Sequence, residues 1–204
     1  MKKVGIINYS AGNIASIINA INHLDFLPVV IDKPENNFHF SHIILPGVGN
    51  FGRLANNLLN LGFHDYLDKN KKKGNMILGI CVGMQLLFTS SDESKNTNGL
   101  NFFNGNFKLF NGNSSNFPVP HVGFNNVKHF GSKIWKNIQS ESNFYFIHSY
   151  KLDKVSEKCD FSVTNYGEDF VSCIEKENVI GCQFHPEKSH KPGLKFINNF
   201  LSQN

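Results

Sequence analysis

At 204 residues, 40% of them hydrophobic and 18% charged, the chain is long enough to bury one core and too short for two domains of ordinary size, so a single domain over residues 1–204 is expected. The formal net charge of +4 comes from scattered cations apart from Lys69 and Lys71-Lys72-Lys73. Without a broad basic face interleaved with aromatics, nucleic-acid binding is excluded as a reading. No stretch approaches the roughly 20 apolar residues that span a bilayer, and Met1-Lys2-Lys3 leads straight into Val4-Gly5-Ile6-Ile7 without a signal-type segment. The four cysteines, Cys81, Cys159, Cys173 and Cys182, have neither CxxC nor metal-ligand spacing and read as reduced thiols. A cytoplasmic protein with no metal and no cofactor is predicted.

In chain order, Val4–Ile7 reads as a strand, the polar Asn8–Asn13 as a loop and Ile14–Leu24 as a helix by its periodicity. Strands follow at Pro28–Asp32 and His42–Leu45, joined by a short polar linker with a minimal or absent crossover helix. Pro46-Gly47-Val48-Gly49-Asn50-Phe51-Gly52 closes the third strand with three glycines that free its backbone. Leu54–Lys73 has the periodicity of one helix, with Gly74 as its C-cap; the lysine run at its end is a solvated helix C-terminus. Met76–Ile80 is a strand, and a helix runs from Cys81 to about Phe88. From Thr89 to Asn116 the chain is rich in Ser, Asn and Gly, and the βα alternation stops. Short alternating stretches at 107–110, 125–127, 144–147, 161–164, 171–175 and 179–184 read as strands, antiparallel in the second half. A last helix spans about Pro192–Leu201, with Leu194, Ile197 and Leu201 facing the core. The pattern predicts an α/β fold: a mixed central sheet with flanking helices and antiparallel additions in the second half.

The chemistry gathers at Gly79-Ile80-Cys81-Val82-Gly83-Met84-Gln85. Small residues two before and two after a cysteine suit a sharp strand-to-helix turn, a nucleophile elbow that exposes the thiol at the carboxyl edge of the sheet. The amides of the following helix favour the thiolate. A thiol nucleophile needs a base, and the base needs an orienting partner. Gln183-Phe184-His185-Pro186-Glu187-Lys188-Ser189 supplies both, because Pro186 stiffens the loop so that His185 and Glu187 point to the same sheet edge. Cys81, His185 and Glu187 are therefore the expected catalytic triad. The backbone N–H of Val82, with an amide of Val48 or Gly49, is the expected oxyanion hole, and Gly47-Val48-Gly49 is expected to reorient before Cys81 works. Cys159, Cys173 and Cys182 lie in or beside strands without glycine punctuation and read as structural.

These two motifs together resemble the class I glutamine amidotransferases, whose fold is flavodoxin-like. More narrowly, Asn8-Tyr9, Gly12-Asn13, Pro46-Gly47-Val48-Gly49-Asn50-Phe51, Pro120-His121-Val122-Gly123-Phe124-Asn125 and Phe146-Ile147-His148-Ser149-Tyr150 are similar to the glutaminase-subunit family of imidazole glycerol phosphate synthases, over essentially the whole chain. The resemblance implies hydrolysis of glutamine to glutamate and ammonia through a Cys81 thioester. It implies substrate contacts from Gly47, Gln85, Ser149 and Tyr150, and a heterodimer with a (β/α)8-barrel synthase (cyclase) subunit. That partner takes the ammonia to make imidazole glycerol phosphate and an aminoimidazole carboxamide ribotide in histidine synthesis. It also implies a partner interface at Asn13, Phe124 and Lys188. The competing expectation is a paralogue feeding ammonia to another acceptor, such as a nucleotide-activated sugar. Two positions depart from the family pattern: Phe124 stands where a tryptophan is usual, and His190 where a second serine is more frequent. His121 and His148 are expected to structure loops near the site, and the remaining histidines to be ordinary.

Overall fold

The computed structural model describes residues 2–34, 39–111, 117–156 and 158–203. In chain order the elements are β1 (Lys3–Ile7), α1 (Ile14–His23), β2 (Leu27–Ile31), β3 (His42–Leu45), α2 (Phe51–Asn60), α3 (Phe63–Lys72), β4 (Met76–Ile80), α4 (Val82–Leu86) and β5 (Phe88–Ser91). They continue with β6 (Phe103–Leu109), β7 (His121–Val127), β8 (Ser142–His148), β9 (Tyr150–Lys151), β10 (Asp160–Asn165), β11 (Asp169–Lys176), β12 (Val179–Cys182) and α5 (His190–Leu201).

One seven-stranded sheet carries the molecule, in the order β10-β11-β12-β4-β3-β1-β2. The five strands from β12 to β2 are parallel, and β10 and β11 add to them antiparallel. β3 and β4 are buried along their whole length, which is why both read as unbroken apolar runs rather than alternations. The parallel core β2-β1-β3-β4-β12 has the flavodoxin-like order, in which ligands gather outside the carboxyl ends of the strands. A two-stranded antiparallel ribbon, β7 with β8, stands beside this sheet. It is pinned by bonds between the Lys128 and Val163 backbones, 2.8 and 2.9 Å. Trp135, Phe144, Phe184 and Phe196 meet in an aromatic cluster with ring centroids 4.3 to 6.3 Å apart, tying the ribbon to α5.

Three sequence expectations change. The helix expected over 54–73 is two helices, because Gly62 adopts a left-handed φ of 76° and ends the first run after Asn60. Its apolar periodicity carries across the break, since Leu54 and Leu58 of α2 and Phe63 and Leu67 of α3 are all buried. The first helix also begins earlier, at Phe51, where the Asn50 side chain caps it by accepting from the Arg53 N–H at 3.0 Å. The helix after Cys81 lasts five residues and gives way to β5, whose β-branched Thr89 and small serines suit an extended chain. The last helix starts at His190, two residues before the expected Pro192. The linker between β2 and β3 and the end of the 89–116 stretch fall partly on residues 35–38 and 112–116, outside the described residues.

Candidate active site

Cys81 follows β4 directly and sits at φ 54° and ψ −113°, a conformation that L residues adopt only under tertiary constraint. The glycines around it explain how the turn closes. A side chain on Gly83 would put its Cβ 2.0 Å from the Leu45 carbonyl oxygen, and one on Gly79 would lie 2.6 Å from that of Gly83. The elbow is thus pressed against the end of β3 and the turn beyond it. Gly47 is part of the same contact, since a Cβ there would come within 2.1 Å of the Gly83 nitrogen. The expected substrate residue Gly47 accordingly lies beneath the elbow, while its neighbours Val48 and Gly49 line the cavity in front of Cys81.

His185 ends the loop after β12 and is fixed from several directions. Its N–H donates to the Tyr145 carbonyl at 2.8 Å, and the Ser189 hydroxyl donates to the His185 carbonyl at 2.6 Å while accepting from the Tyr145 N–H at 2.9 Å. Phe184, next in the chain, is fully buried in the aromatic cluster. Nδ1 of His185 lies 2.7 Å from Oε1 of Glu187, and both side chains are 1% exposed. Burial alone would lower the His185 pKa. The nearby Cys81, together with Glu187, outweighs that and holds the imidazolium up to about 10. His185 Nε2 makes no well-aligned hydrogen bond, leaving its proton free to be drawn towards a reacting group.

Glu187 Oε1 also accepts from Asn13 Nδ2 at 2.8 Å. Asn13, expected only at the partner interface, therefore touches the Glu187 carboxylate of the expected triad as well. It stands at the mouth of α1 with a left-handed φ of 57°.

A second set of contacts was not anticipated from the motifs. Gln183 is completely buried, donates from Nε2 to Cys81 Sγ at 3.6 Å and accepts at Oε1 from Gln85 Nε2 at 3.1 Å. The expected substrate residue Gln85, 3% exposed, is thus linked to the sulfur through Gln183. Alternation along the strand end held the clue: Phe184 points into the aromatic cluster, so its neighbour Gln183 must face the other way, towards the elbow. With α4 only five residues long, the Gln183 amide is the side-chain donor that meets the sulfur.

The cavity, about 280 Å³, is lined by Val48, Gly49, Cys81, Val82, Gln85, Glu93, Ile147, His148, Ser149, Tyr150 and His185, with Pro120. It brings the expected residues Ser149 and Tyr150 to the thiol. Two of the three expected oxyanion amides, those of Val48 and Val82, are occupied, however. Val48 N–H bonds the Ala11 carbonyl at 2.8 Å, and Val82 N–H points to the Gly47 carbonyl at 3.3 Å. Gly49 has a φ of 136°. Phe124 and Lys188 lie apart from the thiol on the rim of the ribbon, Phe124 stacked on His190 at 5.3 Å and Lys188 over the Tyr145 ring at 5.6 Å. The two positions that depart from the family pattern are therefore in contact with each other.

A family model described as glutamine amidotransferase class-I matches residues 6–204. The chain belongs to this family. Among curated amidotransferase relatives, imidazole glycerol phosphate synthase subunit HisH 2 of Methanococcus maripaludis is 40% identical, over 98% of this chain and 99% of the relative. Subunit HisH of Methanocaldococcus jannaschii is 41% identical over 97% and 98%, and that of Leptospira borgpetersenii 38% over 98% and 99%. Among solved amidotransferase-like structures, one described as a glutamine amidotransferase superposes with a TM-score of 0.76 at 16% identity, covering 97% of this chain and 98% of that one. A chain of the PurLQS structure from Thermotoga maritima gives 0.74 at 17%, covering 98% and 97%. These two establish the amidotransferase fold.

Proposed function

We infer that this chain is the glutaminase subunit of imidazole glycerol phosphate synthase, hydrolysing glutamine and delivering the ammonia for a step of histidine biosynthesis. The near full-length identity to several HisH subunits supports this over a paralogue serving a nucleotide-activated sugar. The single observation that carries the chemistry is the strained Cys81 elbow facing an imidazole that is itself bound to a buried carboxylate.

The proposed sequence of steps follows from that arrangement. Cys81 sulfur attacks the side-chain amide carbon of glutamine while His185 passes a proton to the departing nitrogen, leaving a thioester and ammonia. His185 then takes a proton from water, whose oxygen attacks the thioester carbonyl, and glutamate leaves as the sulfur regains its charge. Glu187 orients His185 and stabilises the imidazolium. Each tetrahedral intermediate places a negative oxygen where preorganised donors are worth most, and here Val82 with Val48 or Gly49 are the proposed donors. Since the Val48 amide is turned to Ala11, the 47–49 turn would have to rotate for Val48 to serve as a donor, and partner docking is the proposed trigger. Asn13, which bridges from α1 to Glu187, belongs to the same surface.

The proposed partner is a (β/α)8-barrel synthase subunit, docking over the ribbon rim where Val122, Phe124 and Ile147 expose apolar surface beside Lys188. Phe124 offers ring area without an indole donor. Glutaminase turnover measured with and without the cognate synthase subunit and its nucleotide ligand tests the assignment. Strong activation, and rescue of a histidine auxotroph, is expected; a chain that complements no such strain overturns it.

A further inference from the structure

His121 and His148 face each other directly across β7 and β8 and are not accounted for by the triad. Both are buried, 2% and 6% exposed, within a shell of Phe110, Phe146, Tyr166 and Phe170. Burial lowers both imidazoles far below their ordinary range, to about 4 and about 3. Two polar rings are kept there against that desolvation cost, and their hydrogen bonds run in one direction.

His148 Nδ1 lies 2.8 Å from the Tyr150 carbonyl oxygen, which can only accept, so Nδ1 carries the proton and Nε2 must accept. His121 Nδ1, 3.2 Å from that Nε2, is then the donor, and His121 Nε2 is left as an acceptor. Asn125 meets it, its Nδ2 lying 3.4 Å away and also donating to the Asn165 carbonyl at 2.9 Å, while its Oδ1 accepts from the Asn126 N–H at 2.8 Å. Every group in the line Asn125 to His121 to His148 to the Tyr150 carbonyl thus has one permitted role. The line ends on the segment that lines the cavity: the Ile147 carbonyl lies 3.7 Å from Cys81 Sγ, the Ser149 carbonyl accepts from the Phe110 N–H at 3.0 Å, and His148 itself faces the cavity.

We propose that His121 and His148 are positioning residues, a tautomer-locked hydrogen-bond line that holds the 147–150 backbone in the geometry with which it lines the glutamine cavity in front of Cys81. This rests on the glutaminase assignment for its ligand, while the tautomers can be read without it. Both rings carry their proton on Nδ1, whereas an unconstrained neutral imidazole favours Nε2. Nitrogen-15 correlation spectra of the full chain at neutral pH report which nitrogen is protonated, and Nδ1–H is expected for both; Nε2–H on either overturns the proposal. Glutamine kinetics in the complex with the synthase subunit supply the second arm. His121→Phe keeps the stacking and removes the donor, and should raise KM about tenfold, the worth of one buried hydrogen bond, with kcat changed less than about twofold, as for lost uniform binding. His121→Asn places a side-chain amide near the position of Nδ1 and should recover most of that loss. Equal KM values for the Phe and Asn variants overturn the proposal, because packing alone would then explain the ring. A wild-type complex with no glutaminase turnover overturns the functional assignment instead, and the tautomers still decide the hydrogen-bond line.

Discussion

Around the Cys81 sulfur and the imidazole beside it stand three side chains of different legibility. His185 and Glu187 announce themselves, because a His-Pro-Glu at a strand end has a stiff backbone and two groups of matched chemistry. Gln183 does not, since an amide next to a phenylalanine carries no pattern until the strand's facing is known. Its amide donates to Cys81 Sγ at 3.6 Å, and a hydrogen bond to a group that carries charge during the reaction is worth about 1.5–3 kcal/mol. Gln183→Leu should therefore lower glutaminase kcat/KM by roughly 10- to 100-fold and slow alkylation of Cys81 in the absence of glutamine, whereas Cys81→Ser should abolish turnover. An unchanged alkylation rate in the leucine variant would deny Gln183 its role at the sulfur. The His185 imidazolium gives a further test. Its folded pKa, raised to about 10, lies above the unfolded value near 6.5, so its stabilising contribution is complete below pH 6.5 and is lost as pH rises towards 10. The wild type should lose more thermal stability than Cys81→Ser between pH 7 and 10, because the serine removes the charge that holds the proton; parallel melting curves would contradict the ion pair.

At the level of elements, the glycines decide more than the helices do. Gly83 and Gly74 look alike in sequence, each next to a helix end, yet they differ completely in space. A Cβ on Gly83 meets the Leu45 carbonyl oxygen at 2.0 Å, while one on Gly74 meets nothing within 4 Å and faces only its left-handed φ of 79°. Gly83→Ala should therefore collapse the elbow, giving insoluble protein or a chain whose Cys81 no longer reacts. Gly74→Ala should cost about 1 kcal/mol in urea unfolding, the penalty for a side chain in the left-handed region, with turnover intact. Similar stabilities for the two variants would refute the close packing of elbow and turn. The same distinction explains the helix broken at Gly62: apolar periodicity continues through Leu61-Gly62 because both helices bury the same kind of face, and only backbone geometry reveals the break.

Across the whole molecule, buried neutral imidazoles set the response to acid. His42 on β3 is lowered to about 4, chiefly by burial and then by Lys2, and lies edge-on to Phe200, while His121 and His148 are lowered to about 4 and about 3. For each, the folded pKa lies below the unfolded one, so the stabilising contribution is complete above pH 6.5 and is lost as pH falls through 4 and 3. His42→Leu should therefore show a smaller drop in melting temperature between pH 7 and 4 than the wild type, and an equal drop would exclude His42 from the acid response. The sequence alone determined what depends on local order along the chain: the strands β3 and β4 as apolar runs, the elbow around Cys81, the stiff His185–Glu187 loop and the family these motifs indicate. Tertiary structure decided what depends on juxtaposition. It set the strand order, the contact of Asn13 with Glu187, the amide of Gln183 on the sulfur, the Val48 amide turned to Ala11 and the paired His121 and His148. Each of these joins residues far apart in the chain, and hydrogen bonds over such separations leave no periodicity behind, because their partners are chosen only when the sheet closes.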